Sequence, residues 1–188
     1  MKLLHIDSAI TQPGSVTRKL SADIVKRLVG SRDDVEVIRR DLAADPLDHF
    51  TLGDIPAPDG MTEILEEFLG ADVIVIGAPM YNFTVSSQLK AWIDRILIAG
   101  KTFTYGAEGP VGLAGGKRVI IAVARGGFYG VGTPAAANEH LQSYLAGVFA
   151  FIGITPEFVV AEGVMIGADH REAALADAER HILTLGTI

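Results

Sequence analysis

Three short stretches of this 188-residue chain carry residue types that do chemistry together. In "GSVTRKL" (14–20), two hydroxyls, Ser15 and Thr17, flank Val16 where the apolar spacing predicts the start of a helix. First-turn amides have no intrahelical acceptor and the helix dipole favours negative charge, so such a start can seat a phosphate monoester. Taken alone, the stretch reads more readily as Ser15 capping its helix. "PMYNF" (79–83) leaves the apolar run "DVIVIGA" and shows Met80, Tyr81, Asn82 and Phe83 at its exit. These residues suit the wall of a site for a flat, apolar ring, with Asn82 and backbone amides for a polar edge; the alternative is a turn that caps the core. "ARGG" (124–127) follows another apolar run, and its glycines let Gly126 and Gly127 amides approach a ligand closely. By itself it is equally well an ordinary turn.

The elements that must position these stretches alternate along the chain. "KLLHID" (2–7), "VEVIRRDL" (35–42), "DVIVIGAP" (72–79), "KRVIIAVA" (117–124) and "TPEFVVAEG" (155–163) read as five strands. The third is continuously apolar and β-branched, as a parallel strand covered on both faces must be. Between them lie helical patterns. Val16, Leu20, Ile24 and Leu28 lie on one face, with Gly30 as a stop; Leu89, Trp92, Ile93, Ile96 and Leu97 form another. A short helix carries Ile64, Leu65, Phe68 and Leu69, and a closing helix runs from 169 to about 185. A helix is predicted over 135–152, with Leu141, Tyr144, Leu145, Val148 and Ile152 on its core stripe. Phe149 and Phe151 fall about 100° and 60° off that stripe, so they are not needed to cover the sheet and suit an interface; the alternative for Phe151 is packing against strand five. Residues 44–60 read as loop, and the glycine-rich 101–117 as a loop or hairpin excursion.

Five strands interleaved with five helices make a three-layer α/β domain over residues 1–188, with a five-stranded parallel sheet and helices on both faces. The flavodoxin-like order 2-1-3-4-5 fits the length and count. In that order the carboxyl ends of strands one, three and four converge where the strand order reverses, and these three stretches are their exits. A phosphate seat, an aromatic wall and a glycine amide loop at one edge describe one ligand, FMN.

Composition excludes much else. The formal net charge is −7 and the pI about 5.1, against nucleic acid or an anionic membrane surface as a main partner. With no cysteine there are no disulfides, thiolate nucleophiles or Cys-ligated metals. His5, His49, His140, His170 and His181 are scattered without metal-ligand spacing, so no metal is expected. Neither GxGxxG nor the Walker pattern occurs. "MKLLHIDSAI" is too short and too soon broken by Asp7 for a signal peptide, and no run is long enough to span a bilayer. A cytoplasmic protein is expected.

"APMYNF" with "QLK" seven positions after Tyr81, then "RGG" after strand four and "FIGIT" at 151–155, resemble the FMN-dependent NADH-azoreductases, which also reduce quinones. The resemblance runs from "SVTR" through "FVVAEG". It implies a homodimer with FMN at its interface, NADH as electron donor, ping-pong reduction of azo compounds and quinones, and chemistry carried by the flavin rather than by a catalytic side chain. By position it implies cofactor contacts at Ser15, Val16 and Thr17, at Met80, Tyr81, Asn82 and Phe83, and at Ala124, Arg125, Gly126 and Gly127. Tyr105 in the 101–117 excursion and Phe151 of "FIGIT" go to the substrate pocket, Phe151 at the dimer contact. This chain has Ala124 where the family often has serine, and Ala9 after Ser8 where a second serine is frequent. No arginine cluster for a 2′-phosphate is identifiable; Arg125 and Lys101 are the cations that remain for one. Two other readings share the fold: a flavodoxin-type one-electron carrier, and a phosphoacceptor receiver domain. The receiver needs an acidic residue at the exit of strand three, where Pro79 and Met80 stand.

Overall fold

A computed structural model describes residues 1–11, 13–57 and 59–188. Gln12 in the first exit and Pro58 in the predicted 44–60 loop lie outside the described residues. In chain order the elements are β1 (Lys2–Asp7), α1 (Val16–Val29), β2 (Glu36–Asp41), α2 (Glu63–Gly70), β3 (Val73–Pro79), α3 (Ser87–Ile96), β4 (Phe103–Gly106), β5 (Gly109–Gly112), β6 (Arg118–Ala124), α4 (Gln142–Phe151), β7 (Glu157–Ala161) and α5 (Ala168–Thr184). The main sheet has order β2-β1-β3-β6-β7 with every pair parallel, and β4–β5 is a separate antiparallel hairpin. The predicted order 2-1-3-4-5 is therefore the observed one, since β6 and β7 are the fourth and fifth strands of the sheet.

Alternation along the strands splits the core in two. Leu4, Ile6, Ile74, Ile76, Ile121 and Val123 face one way and pack under α2, α3 and α4 with Phe68, Trp92 and Leu145. Leu3, Val73, Val75, Ile120, Ala122 and Val159 face the other way, under α1 and α5. All seven residues of β3 are buried, which is why that strand tolerates no charge. Gly77 within it is required by packing: a Cβ there would lie 2.9 Å from Asp7 Oδ1 and 3.3 Å from the Thr17 carbonyl oxygen. No helix among the described residues is long and apolar enough to cross a membrane.

The predicted helix over 135–152 is shorter than its periodicity suggests. A single 3-10 turn spans Ala136–Asn138, and α4 begins at Gln142. The cause is Glu139, whose carboxylate accepts the amides of Leu141 (3.1 Å), Gln142 (2.8 Å) and Ser143 (3.0 Å) and so starts the helix there. The buried stripe of α4 is Leu141, Leu145, Phe149 and Ile152, with Tyr144 and Val148 only partly covered. Phe149 is thus a core residue, not an interface one, because the i, i+4 progression carries it inward. The "FIGIT" stretch also acquires a structural reason. Gly153, at φ +89°, meets Gly112 of β5 backbone to backbone, and a Cβ on Gly112 would overlap Ile152 and Gly153. The Ala114 amide donates to the Ile152 carbonyl at 3.0 Å and fastens the hairpin to the end of α4.

Candidate functional site

Strand order reverses between β1 and β3, and ligands of open α/β sheets bind beyond the carboxyl ends of strands at such a point. The three exits meet there and are bonded to one another. The Ile10 amide of the first loop donates to the Tyr81 hydroxyl at 3.2 Å. The Met80 amide donates to the Ala124 carbonyl at 2.9 Å, and the His140 amide to the Phe83 carbonyl at 3.1 Å. Phe83 sets its ring against that of Tyr129 from the third loop, with centroids 6.1 Å apart at 67°.

In the first loop Ser15 caps α1 with Oγ 3.4 Å from the Arg18 amide, a long bond, and lies 3.4 Å from Thr17 Oγ1. Ser15 is half-buried and only weakly engaged as a cap, while Thr17 is almost fully buried, its hydroxyl against that of Ser15; beside them are the Val16 and Thr17 amides that helix geometry leaves over. The Val16 side chain belongs to the core under α1, so only its amide faces the seat. Ser8 is fully buried and donates to the Gly77 carbonyl at 2.7 Å, which assigns its hydroxyl to holding β1 against β3.

Beneath this loop lies a polar network that spacing does not reveal. Asp7 and Asp41 are register partners at the ends of β1 and β2. Both Asp41 oxygens accept from the Arg18 guanidinium, at 2.7 and 2.8 Å. That bond holds the Asp41 carboxyl at about 2. Arg18 also donates to the Ala9 carbonyl at 2.8 Å and lies 3.7 Å from Asp7. His5 Nε2 sits 2.9 Å from Ser21 Oγ, which donates to Asp7 at 2.9 Å. Burial pushes the His5 imidazole below its ordinary value despite Asp7, so it is neutral at pH 7.

The second loop is a tight turn. Tyr81 and Thr84 exchange both backbone hydrogen bonds, at 3.0 and 3.1 Å, which leaves Asn82 (φ +47°) and Phe83 (φ +74°) in the left-handed region. Asparagine tolerates that region; phenylalanine does so at a cost of about 1–2 kcal/mol. The strain turns Asn82 and Phe83 outward, and both are exposed, while Met80 packs on the core beneath. A cavity of about 810 Å³ lies alongside, bounded among others by Ile10, Met80, Tyr81, Asn82, Gln88 and Tyr144.

In the third loop the side chain of Arg125 is not a ligand for anything outside the protein. It is 4% exposed, with one nitrogen 2.6 Å from Glu162 and the other 2.7 Å from Gln142 Oε1 and 3.2 Å from Glu139. The expectation that Arg125 might meet a 2′-phosphate is overturned by this burial. What it does is tie the loop to the start of α4 and the exit of β7. The Arg125, Gly126 and Gly127 carbonyls accept from Val164, Met165 and Gly163, at 3.1–3.2 Å, so the loop is held from behind through its oxygens. Ala124 is buried at the end of β6.

Tyr105 and Phe151 do not join the site within one chain. Both lie with Phe103 in an aromatic cluster, at centroid distances of 5.7 and 4.6 Å from it. Phe151 ends α4, nine residues or roughly 14 Å of helix from Gln142, and Tyr105 is 72% exposed. Lys101, at the entry to the same hairpin, is not among the residues that bound the cavity beside the second loop. The residues that sequence reasoning passed over are Arg18, Tyr129, Glu139, Gln142 and Glu162. One signal was available: the neighbouring strands end in "VARGG" and "VVAEG", so Arg125 and Glu162 follow the register pair Ala124 and Ala161.

Residues 1–185 match a family described as having a flavodoxin-like fold. The FMN-dependent NADH:quinone oxidoreductase 2 of Bradyrhizobium diazoefficiens is 57% identical over 192 aligned positions, spanning 95% of both chains. An FMN-dependent NADH:quinone oxidoreductase of Methylorubrum extorquens is 58% identical over 193, again 95% of each. Among solved structures, an azoreductase from Bacillus anthracis superposes with a TM-score of 0.84 at 30% identity, covering 98% of this chain and 99% of that one. The observed sheet order and converging loops agree with these matches, and the chain belongs to the flavodoxin-like family, alongside the FMN-dependent NADH:quinone oxidoreductases.

Proposed function

We propose that this chain is an FMN-dependent oxidoreductase that takes electrons from NADH and reduces quinones and azo compounds. The observation that carries the reading is the mutual bonding of three loops at the reversal point, each offering what a different part of FMN needs. The residues present fit the group. Ser15 Oγ, Thr17 Oγ1 and the Val16 and Thr17 amides hold the phosphate at the start of α1. Met80, Tyr81, Asn82 and Phe83 wall the ring, and the Gly126 and Gly127 amides, on a loop fixed from behind, face its polar edge. FMN, when bound, supplies two-electron transfer from NADH to the acceptor. The protein orients it; no side chain serves as general acid or base, and the proton on the product comes from solvent.

The 188 residues act as one flavin-binding unit in the cytoplasm, and the working form is a homodimer. Tyr105 and Phe151 are not among the residues bounding their own chain's cavity beside the second loop, and they complete the pocket of the partner. NADH and the acceptor use one face in turn, in ping-pong order.

The purified protein should show a flavin absorption spectrum on addition of FMN and oxidise NADH steadily with a quinone. Initial rates at varied NADH and quinone should give parallel double-reciprocal lines. Intersecting lines would refute the shared face, and FMN binding without NADH oxidation would make the chain an electron carrier instead.

A further inference from the structure

We propose that Arg18 is a positioning residue that makes the start of α1 selective for a phosphorylated flavin over riboflavin. The inference rests on the placement of the FMN phosphate at Ser15–Thr17 and adds to it a reason why that seat accepts an anion. A helix start favours negative charge, yet here two carboxylates lie directly below it. Asp7 and Asp41 end adjacent strands as register partners, and both turn toward α1: Asp7 to Ser21, Asp41 to Arg18. His5, the other titratable group against Asp7, is buried without a partner on Nδ1. A phosphate seated above two uncompensated carboxylates would be repelled by both.

Of the cations around the helix start, which include Lys19 and Arg171, Arg18 is the one in contact with both carboxylates. Its guanidinium grips Asp41 with both terminal nitrogens. It lies 3.7 Å from Asp7, and its side chain is 16% exposed, so the charge is poorly screened by water. At the third helical position its positive charge opposes the dipole of α1, an unfavourable placement for helix stability alone. The same guanidinium engages the Ala9 carbonyl, and the Arg18 amide donates to Ser15 Oγ. One residue therefore balances the carboxylates, engages the first loop and touches the cap.

The test measures binding of FMN and of riboflavin to the flavin-free protein by quenching of flavin fluorescence, and reads the ratio of the two affinities. Arg18→Gln should lower the FMN-to-riboflavin ratio by roughly tenfold, equivalent to about 1.4 kcal/mol, since the carboxylates are then uncompensated. Arg18→Lys, which keeps the charge, should hold the ratio within about threefold of wild type. Asp41→Asn breaks the same pair but leaves the cation, so the ratio should stay level or rise. A purely structural pair gives the opposite pattern: Arg18→Gln and Asp41→Asn lower the ratio alike. That result overturns the proposal, as does an unchanged ratio in Arg18→Gln or a fall in Arg18→Lys as large as glutamine causes. Should Arg18→Gln fail to fold, the Asp41→Asn ratio still decides, a fall refuting and a level or raised ratio supporting. Ser15→Ala with Thr17→Ala separates the two layers. A lowered ratio there with none in Arg18→Gln removes only the role of Arg18, whereas no change in any variant removes the phosphate placement itself.

Discussion

Replacing Arg125 by Met should cost the flavin-free protein about 3–5 kcal/mol, the usual loss when one partner of a buried ion pair is removed. The magnitude follows from what is left behind. The Arg125 side chain is 4% exposed; Glu162 and Glu139, its carboxylate partners, are 23% and 14% exposed, and Gln142 loses its donor as well. Set against a total of roughly 5–15 kcal/mol for a domain, this is a large fraction. With a urea dependence of about 2 kcal/mol per molar, the midpoint should fall by roughly 1.5–2.5 M. Trp92 is the reporter: it is the only tryptophan, it is fully buried, and its ring lies 5.9 Å from Phe68. The double variant Arg125→Met with Glu162→Gln should recover part of the loss, because one stranded charge goes with it. Acid supplies a second signature. Burial pushes Glu139 up, but the Gln142 and Ser143 amides, Arg125 and the Leu141 amide outweigh it and hold the carboxyl below its usual range. A depressed folded value means stability that is present above the unfolded pKa of about 4.3 and lost as pH falls through the folded one. Removing Arg125 should shrink that acid-labile part. A midpoint within about 0.5 M of wild type, on the same urea slope, would show that the guanidinium does not hold the third loop.

Two further perturbations address the other parts of the site. Phe83→Gly removes left-handed strain worth about 1–2 kcal/mol and an aromatic edge contact worth about 0.5–1.5 kcal/mol. The flavin-free protein should therefore unfold within about 1 kcal/mol of wild type while FMN binds more weakly; unchanged affinity would make Phe83 a turn residue only. Phe151→Leu should stay dimeric and flavin-loaded while its KM for the quinone changes. Mixing it with a flavin-site variant under verified subunit exchange should restore wild-type-like sites only in heterodimers, and their absence would refute a shared pocket.

Much of the fold was legible because each strand and most helices carry their own period. "DVIVIGAP" has no polar residue after Asp72 and became the fully buried β3; Val16, Leu20, Ile24 and Leu28 became the inner face of α1. The 135–152 segment misled because apolar spacing persists upstream of the true start, which is set by a side chain, Glu139, capping three amides. Phe149 differs for a related reason: spacing puts Tyr144 and Val148 on the stripe, whereas α4 is rotated so that Leu145 and Phe149 face in. The loops could be read as a site because serine, glycine and aromatics are informative by type alone. The ion pairs beneath could not, since Arg18 with Asp41 and Arg125 with Glu162 lie 23 and 37 positions apart and meet only once the sheet is assembled.

The way the loops are joined bears on how the site works. Each is bonded to a neighbour through backbone or a single hydroxyl: Ile10 to Tyr81, Met80 to Ala124, Phe83 to His140. Two are also anchored from below: the first by buried Ser8 and half-buried Arg18, the third by buried Arg125. The strained turn at Asn82 and Phe83 persists because His140 and the Tyr81–Thr84 bonds overdetermine it. A site held this way spends little binding energy on ordering its own backbone. A flat ring can then be held by modest contacts at its edges while one face stays open. That openness is what two unlike molecules, a nicotinamide and a quinone, require if they are to use the same face in turn.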